Sequence, residues 1–336
     1  MNSIIQKNIE KYIVSFNKNR PGFSYMAKYD SGERYSGAIG LASVQPVQHL
    51  TENSIFNLAS VSKQFTAFAI LLLEQQKLLS LDDSILRFFP ELGEYARKVT
   101  IRNLIYHTGG MYDYIDLAES HGISEFDPLT VEESMVHLSQ QAKLLFEPGT
   151  RFLYNNTGYL LLAKIVEKIS KKSIKSFSEE NIFRPLGMYD TFVADHYPID
   201  RDYVISFNDH DDPIESTWAH TGDGSVYSNV IDLAKWGENY STAKVGGKEL
   251  IDKMTTAFSE FTVKNDKVKD YDSYAAGIFV DTIAGKNAFH HSGGWSGYLT
   301  NFIRFPDHHL TVVALSNGGD IDPVTISEKI AEIVLN

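Results

Sequence analysis

Residues 60–63 read SVSK, so Ser60 stands three positions before Lys63 at the head of the apolar stretch QFTAFAILLLE. On a helix, positions i and i+3 share a face one turn apart. That spacing brings a hydroxyl beside an amine able to accept or relay its proton. A serine in the first helical turn also carries a backbone N–H with no helical acceptor, free to donate to an oxyanion. Apolar surroundings make an ammonium costly and lower the lysine's pKa. The chemistry of such a pair is nucleophilic attack assisted by a base. Ser-x-x-Lys also arises by chance on ordinary helices, so the pair alone does not specify an enzyme.

Two further clusters lie downstream. In FEPGTRFLYNNTGYLLLAKIVE, Tyr154 and Asn156 come just before a helix that starts near Thr157. A neighbouring ammonium lowers a phenol's pKa and suits it to general-base work. An asparagine amide offers both donor and acceptor. A core tyrosine with a satisfied hydroxyl fits the same stretch. In HHSGGWSGY, His291, Ser292 and Gly293 fall at the end of a β-like run, and the glycines admit close approach of a substrate backbone. A glycine-rich hairpin with a surface histidine pair is the plain alternative. Adjacent strand histidines point to opposite faces, which argues against one shared zinc.

Together, SVSK at 60–63, YNN at 154–156 and HSG at 291–293 resemble the serine β-lactamase and penicillin-binding protein superfamily. The likeness is to its class C β-lactamase and D-alanyl-D-alanine carboxypeptidase branch, which also holds esterases. IRNLIYHTGG, EPGTRFLYNNTGY and GDGSVYSNVIDLAKW support it, and it runs from about Gly22 to the C-terminus. The resemblance implies that Ser60 is acylated and that Lys63 holds or passes its proton. It implies Tyr154 as general base and later general acid, with Asn156 orienting Lys63 and binding the substrate amide. His291, Ser292 and Gly293 form the third motif, and the backbone N–H groups of Ser60 and Gly294 form the oxyanion hole. No cofactor or metal is expected.

The third motif departs from the Lys-Thr-Gly usual in class C β-lactamases. A lysine there attracts a substrate carboxylate, whereas a histidine is mostly neutral at pH 7 unless a neighbour raises its pKa. The expected activity is therefore a peptidase on D-amino-acid peptides, of the D-alanyl-D-alanine carboxypeptidase kind. A carboxylesterase or a weak β-lactamase is the alternative. The expected partner is a small-molecule or peptide substrate: a D-amino-acid peptide, an ester or a β-lactam.

The elements that must position these residues are legible as periodicities. Ile4, Ile5, Ile9, Tyr12, Ile13 and Phe16 predict an N-terminal amphipathic helix. GFSYMAKYD and RYSGAIGLAS flank a glycine turn, predicting an antiparallel hairpin. Ser60 to about Gln76 predicts a helix buried nearly all round. Thr100 and Thr130 are expected helix caps, the first for a helix stopping at Gly109–Gly110. SIKSFSEENIFRPLGM predicts a helix broken by Pro185. SYAAGIFV, NAFHHSG, YLTNFIRF and LTVVALSN predict four strands, and PVTISEKIAEIVLN a closing helix.

The expected fold is α+β and β-lactamase/transpeptidase-like. A central, mainly antiparallel sheet from residues 1–80 and 225–336 carries terminal helices, residues 81–224 insert a mainly helical subdomain, and the site lies between them.

Composition narrows the remaining classes. The 336 residues carry a net charge of −12 with no basic run, which excludes a general nucleic-acid scaffold. With no cysteine, disulfides and thiolate chemistry are excluded. No apolar run approaches the ~20 residues of a membrane span. The first residues do not read as a signal peptide, so the expected location is cytoplasmic, or exported if a signal lies outside this sequence. Nothing in the sequence signals an oligomeric state. His107 is expected in a structural turn, and NDHDD at 208–212 as a solvated acidic loop. Trp218, Trp295, Tyr112 and Tyr114 are candidates to line the cleft, Trp295 foremost.

Overall fold

A computed structural model describes residues 2–258 and 273–336. Its main sheet has seven strands: β1 (Phe23–Tyr29), β2 (Arg34–Ile39), β3 (Ser273–Tyr274), β4 (Phe279–Ile283), β5 (Lys286–Trp295), β6 (Tyr298–Phe305) and β7 (Leu310–Ser316). They run in the order β3-β4-β5-β6-β7-β1-β2, every neighbouring pair antiparallel. The two ends of the chain meet where Phe23 pairs with Ser316 and Tyr29 with Leu310.

Strand β7 shows why its sequence is apolar throughout. Val312 and Ala314 face a cluster that includes Ile9, Ile326, Ile330 and Val334 of the two terminal helices (Asn2–Ile13 and Pro323–Leu335). Val313 and Leu315 face the opposite way, into the larger core with Phe65, Phe68 and Trp236. Successive strand side chains alternate faces, so a sheet covered on both sides reads as a continuous hydrophobic run. Between Ile39 and Phe258 the chain is mostly helix and loop, with short two- and three-stranded sheets. Among the described residues no helix is long and apolar enough to cross a membrane.

The hairpin, both threonine caps and both terminal helices stand where expected; Thr100 and Thr130 each close a capping box. Four details differ. Ser60 lies in a 3-10 turn (Ala59–Ser62), and the α-helix begins only at Lys63. SYAAGIFV is two strands, because Gly277 at φ +80° turns the chain between Tyr274 and Phe279. The segment with Pro185 is not broken there: a π-turn over Glu179–Phe183 precedes the proline, and the helix stops at Gly187. The helix Ile101–Ile105 ends before the glycine pair, and the left-handed residue that follows it is His107, at φ +56°.

Candidate active site

The turn that carries Ser60 is held in an unusual backbone. Ala59 sits at φ +46°, a left-handed conformation that costs a non-glycine residue roughly 1–2 kcal/mol. The Asn57 side chain accepts the Ala59 N–H at 2.8 Å and fixes the bend. Leu58 donates its N–H to the Val226 carbonyl at 2.8 Å, and the Val226 N–H returns to Ser62 Oγ at 3.1 Å. Segment 222–226 is thereby laced to the head of the helix Lys63–Gln75.

Lys63 is 0% exposed. Its Nζ lies 3.0 Å from Ser60 Oγ, 2.9 Å from Asn156 Oδ1 and 2.8 Å from the Asp223 carbonyl oxygen. Asn156 opens the helix Asn156–Ser170, one residue earlier than expected, and Asn155 caps that helix through Gly158 N–H. The Asn156 amide is aimed by Asp113, whose Oδ2 accepts from Asn156 N–H at 2.6 Å and Nδ2 at 3.1 Å. Burial pushes the Lys63 amine down to about 8, although the Asp223 and Asp113 carboxylates favour its charge. Burial acts in the opposite sense on Asp223, raising its carboxyl to about 6 against the pull of Lys63.

Tyr154 presents its ring to this group, with Lys63 Nζ 4.9 Å from the ring centroid. Tyr154 as a residue is half-buried, but its hydroxyl is enclosed and, among the described residues, has no well-formed hydrogen bond. Burial raises the phenol well above its ordinary value, and nearby Ser60 only partly offsets this. Tyr154 is held by a splint. The His107 carbonyl accepts Leu153 N–H at 2.9 Å, and the imidazole Nδ1 accepts Asn155 N–H at 3.1 Å. The His107 ring lies 4.4 Å from the Tyr154 ring. The turn expected at His107 thus anchors the strand of chain that carries Tyr154.

The third motif lies on β5, with His291 opposite Phe302 and Gly293 opposite Thr300 on β6. His291 is 2% exposed and packs against Tyr274, Phe279 and Tyr154. Its Nδ1–H donates to the Ser292 carbonyl at 2.6 Å, leaving Nε2 to accept from the Tyr274 hydroxyl at 3.4 Å. Burial, reinforced by Lys63, pushes the imidazole down to about 3, so it is neutral. Gly293 serves a close approach, but to the protein itself rather than to a substrate. A Cβ there would stand 2.5 Å from the Leu58 carbonyl oxygen and 2.9 Å from Ser60 N. Gly294 is different: its only near neighbour is the flexible tip of Leu299 at 3.3 Å. Gly293→Ala is expected to displace the Ser60 turn, lower stability by about 1–3 kcal/mol and cut acylation at least tenfold (roughly, by the cost of misplacing reacting atoms). Gly294→Ala should leave the melting temperature nearly unchanged. Equal thermal melts for the two variants would refute the packing role of Gly293.

Ser60, Tyr154, Asn156 and Gly294 line one cleft of about 250 Å³, together with Tyr114, Trp218, His220, Asp223 and Trp295. Lys63 and His291 lie behind its wall. Of the aromatic candidates, Trp218, Trp295 and Tyr114 reach the cleft and Tyr112 does not. Trp218 and Trp295 pack with ring centroids 5.5 Å apart. Asp113, Asp223 and His107 were missing from the expected site. The available signals were an acid at a helix N-cap in MYDY and an acid between glycines in GDGS. The NDHDD loop lies apart, closed by Asn208 and tied to Arg20 through Asp211 at 2.6 Å. Among the described residues, no group of three or more histidine, aspartate or glutamate side chains is placed to hold a metal ion.

Known proteins share this framework. The curated relatives include penicillin-binding protein 4* of Bacillus subtilis (strain 168), 33% identical over 84% of this chain and 65% of the relative. The chain thus spans somewhat under two thirds of that protein's length. A putative D-alanyl-D-alanine carboxypeptidase of Escherichia coli (strain K12) is 24% identical over 87% of this chain and 75% of its own. Among solved structures, the octameric penicillin-binding protein homologue from Pyrococcus abyssi superposes with a TM-score of 0.83 at 25% identity, covering 99% of this chain and 77% of that one. The sequence profile of the Beta-lactamase family matches residues 5–334, from the first helix to the last. A match that spans both ends of the chain covers the strands that meet in the sheet as well as the cleft beside it, and the protein belongs to the Beta-lactamase family.

Proposed function

We propose that this chain is a serine hydrolase that cleaves D-amino-acid peptides through an ester on Ser60. The observation that carries the reading is the set of partners around Lys63. Asn156 Oδ1 and the Asp223 carbonyl can only accept hydrogen bonds, so they take the two hydrogens of a neutral amine. The third neighbour is the Ser60 hydroxyl at 3.0 Å, which accepts from the protonated amine and donates to its lone pair once the amine is neutral.

In the proposed sequence, Ser60 Oγ bonds to the substrate carbonyl carbon as its proton passes to Lys63 Nζ. The carbonyl oxygen takes the negative charge beside the backbone N–H groups of Ser60 and Gly294. The C–N bond breaks as Tyr154 delivers a proton to the leaving amine, and Lys63 reprotonates the phenol. Water then hydrolyses the ester. The raised phenol and lowered amine favour Lys63 as the resting base, with Tyr154 as proton donor. The similarity to D-alanyl-D-alanine carboxypeptidases supports D-amino-acid peptides as the substrate class.

A panel compared by kcat/KM tests this: D-residue peptides and anilides, short-chain esters and nitrocefin, alongside mass labelling by a fluorescent penicillin. The expected result is an adduct on Ser60 and highest turnover in the D-residue series. A folded protein with neither adduct nor turnover of any probe would end the proposal.

A further inference from the structure

An ammonium at Lys63 needs a counter-charge, and few of its neighbours can supply one. Beyond Ser60 and Asn156, the groups that face it are the Tyr154 and Tyr159 rings, with centroids 4.9 and 5.6 Å from Nζ, the His107 and His291 imidazoles, and the Asp113 and Asp223 carboxyls. Burial pushes both phenols up and both imidazoles down, so all four are neutral. The charges that favour the ammonium are those of the two acids.

The two acids are held differently. Asp223 Oδ2 accepts the Tyr114 hydroxyl at 2.9 Å, and burial raises its carboxyl to about 6. Asp113 has only N–H partners. Its Oδ1 accepts from Ile115 at 3.0 Å, and its Oδ2 from the backbone and the side-chain amide of Asn156 at 2.6 and 3.1 Å. Burial raises this carboxyl too, and those N–H groups oppose the rise. None of the three can accept a proton, the arrangement of an ionised carboxylate. The Asn156 amide is therefore engaged at both ends, Nδ2 on Asp113 and Oδ1 on Lys63. Turned round, it would set Oδ1 against a carboxylate and its NH₂ against the hydrogens of Nζ. A carboxylate at one end fixes which atom faces the amine, and it polarises the amide toward the forming charge. Neighbouring chain keeps the two segments in register: Thr157 Oγ1 accepts Tyr114 N–H at 2.8 Å and donates to the Tyr112 carbonyl at 2.8 Å.

We propose that Asp113 is a positioning residue for acylation: through the Asn156 amide its carboxylate keeps an acceptor on Lys63 and serves as counter-charge to the ammonium formed when that lysine takes the Ser60 proton. The proton leaves Ser60 Oγ as the bond to the substrate carbonyl carbon forms, and the positive charge rests on Nζ until Lys63 reprotonates the Tyr154 phenol. Asp113 itself touches no reacting atom. The inference rests on the reading of Ser60 as nucleophile and Lys63 as its base.

Asp113→Asn removes the charge and keeps an oxygen able to cap Ile115. Without the carboxylate the ammonium is less favoured, so Lys63 frees its lone pair at lower pH. Stopped-flow acylation by a chromogenic ester should show its acid limb moved down by about one pH unit and its plateau lowered at least about tenfold. A lowered plateau with the limb unmoved is what a purely structural residue would give, and it overturns the proposal. In an Asn156→Ala background the same substitution should change the plateau by less than about threefold, because the group it acts through is gone. An undiminished loss there overturns the path through Asn156. Asp113→Ser, a second uncharged capping residue, covers the case of an Asp113→Asn chain that does not fold, and its limb should move the same way. Nitrogen NMR of labelled Lys63 Nζ in the Ser60→Ala protein needs no turnover, and its titration midpoint should fall when either Asp113 substitution is added. An unmoved midpoint overturns the role of Asp113 and leaves Ser60 as nucleophile. A lowered midpoint beside a wild-type protein that turns over no probe would support Asp113 as the counter-charge and refute the hydrolase.

Discussion

Lys63→Met is expected to slow acylation of Ser60 by about a thousandfold or more while the protein stays folded. The lysine is wholly buried and its removal leaves the Asn156 and Asp223 acceptors unpaired, so a lowered melting temperature with the fold retained is expected beside the loss of rate. Loss of rate without loss of structure would separate a proton acceptor from a packing residue. The pH dependence gives the sign. Below about 8 the wild-type amine holds its proton and cannot take that of Ser60, so acylation should rise with pH and level off above that value. Stopped-flow labelling with a chromogenic ester, read beside thermal melts, measures both. A flat profile from pH 6 to pH 9, or a Lys63→Met rate within tenfold of wild type, would remove Lys63 from this role.

Tyr154→Phe should lower turnover by about 10²–10⁴, the range for a positioned proton donor, and raise the melting temperature. The phenolic hydroxyl is buried and, among the described residues, makes no well-formed hydrogen bond, Ser60 alone offsetting its burial in part, so the folded state carries most of the desolvation cost of a polar group. Removing it relieves that cost and keeps the ring against His107 and His291. Opposite signs on rate and stability are the signature of a group retained for chemistry rather than for folding. Full activity in Tyr154→Phe would show that the leaving group is protonated by another route. A lowered melting temperature would show that the hydroxyl has a structural partner.

Much of the local structure was legible in the sequence because it depends on neighbours along the chain. Thr100 and Thr130 cap through residues three positions on. The hairpin of β1 and β2 follows from two β-prone runs around a glycine turn, and the all-apolar run of β7 from burial on both faces. The boundaries that moved did so where backbone conformation broke the pattern: left-handed Ala59 and His107, the turn at Gly277 and the π-turn before Pro185.

For the candidate site, the sequence by itself determined the residue types and the i, i+3 relation of Ser60 to Lys63, since helical spacing needs no tertiary contact. The tertiary structure decided what surrounds them. Asn156 reaches Lys63 from 93 residues away, and the Asp223 carbonyl from 160. The Leu58 carbonyl, not a ligand, is what Gly293 makes room for. Whether His291 is charged was likewise set by its burial behind Tyr154 rather than by its place in a motif. The physical reason is common to all of these. A peptide carbonyl is the same on every residue and leaves no mark in the sequence, and a side chain's protonation depends on the solvent it loses when distant parts of the chain close over it.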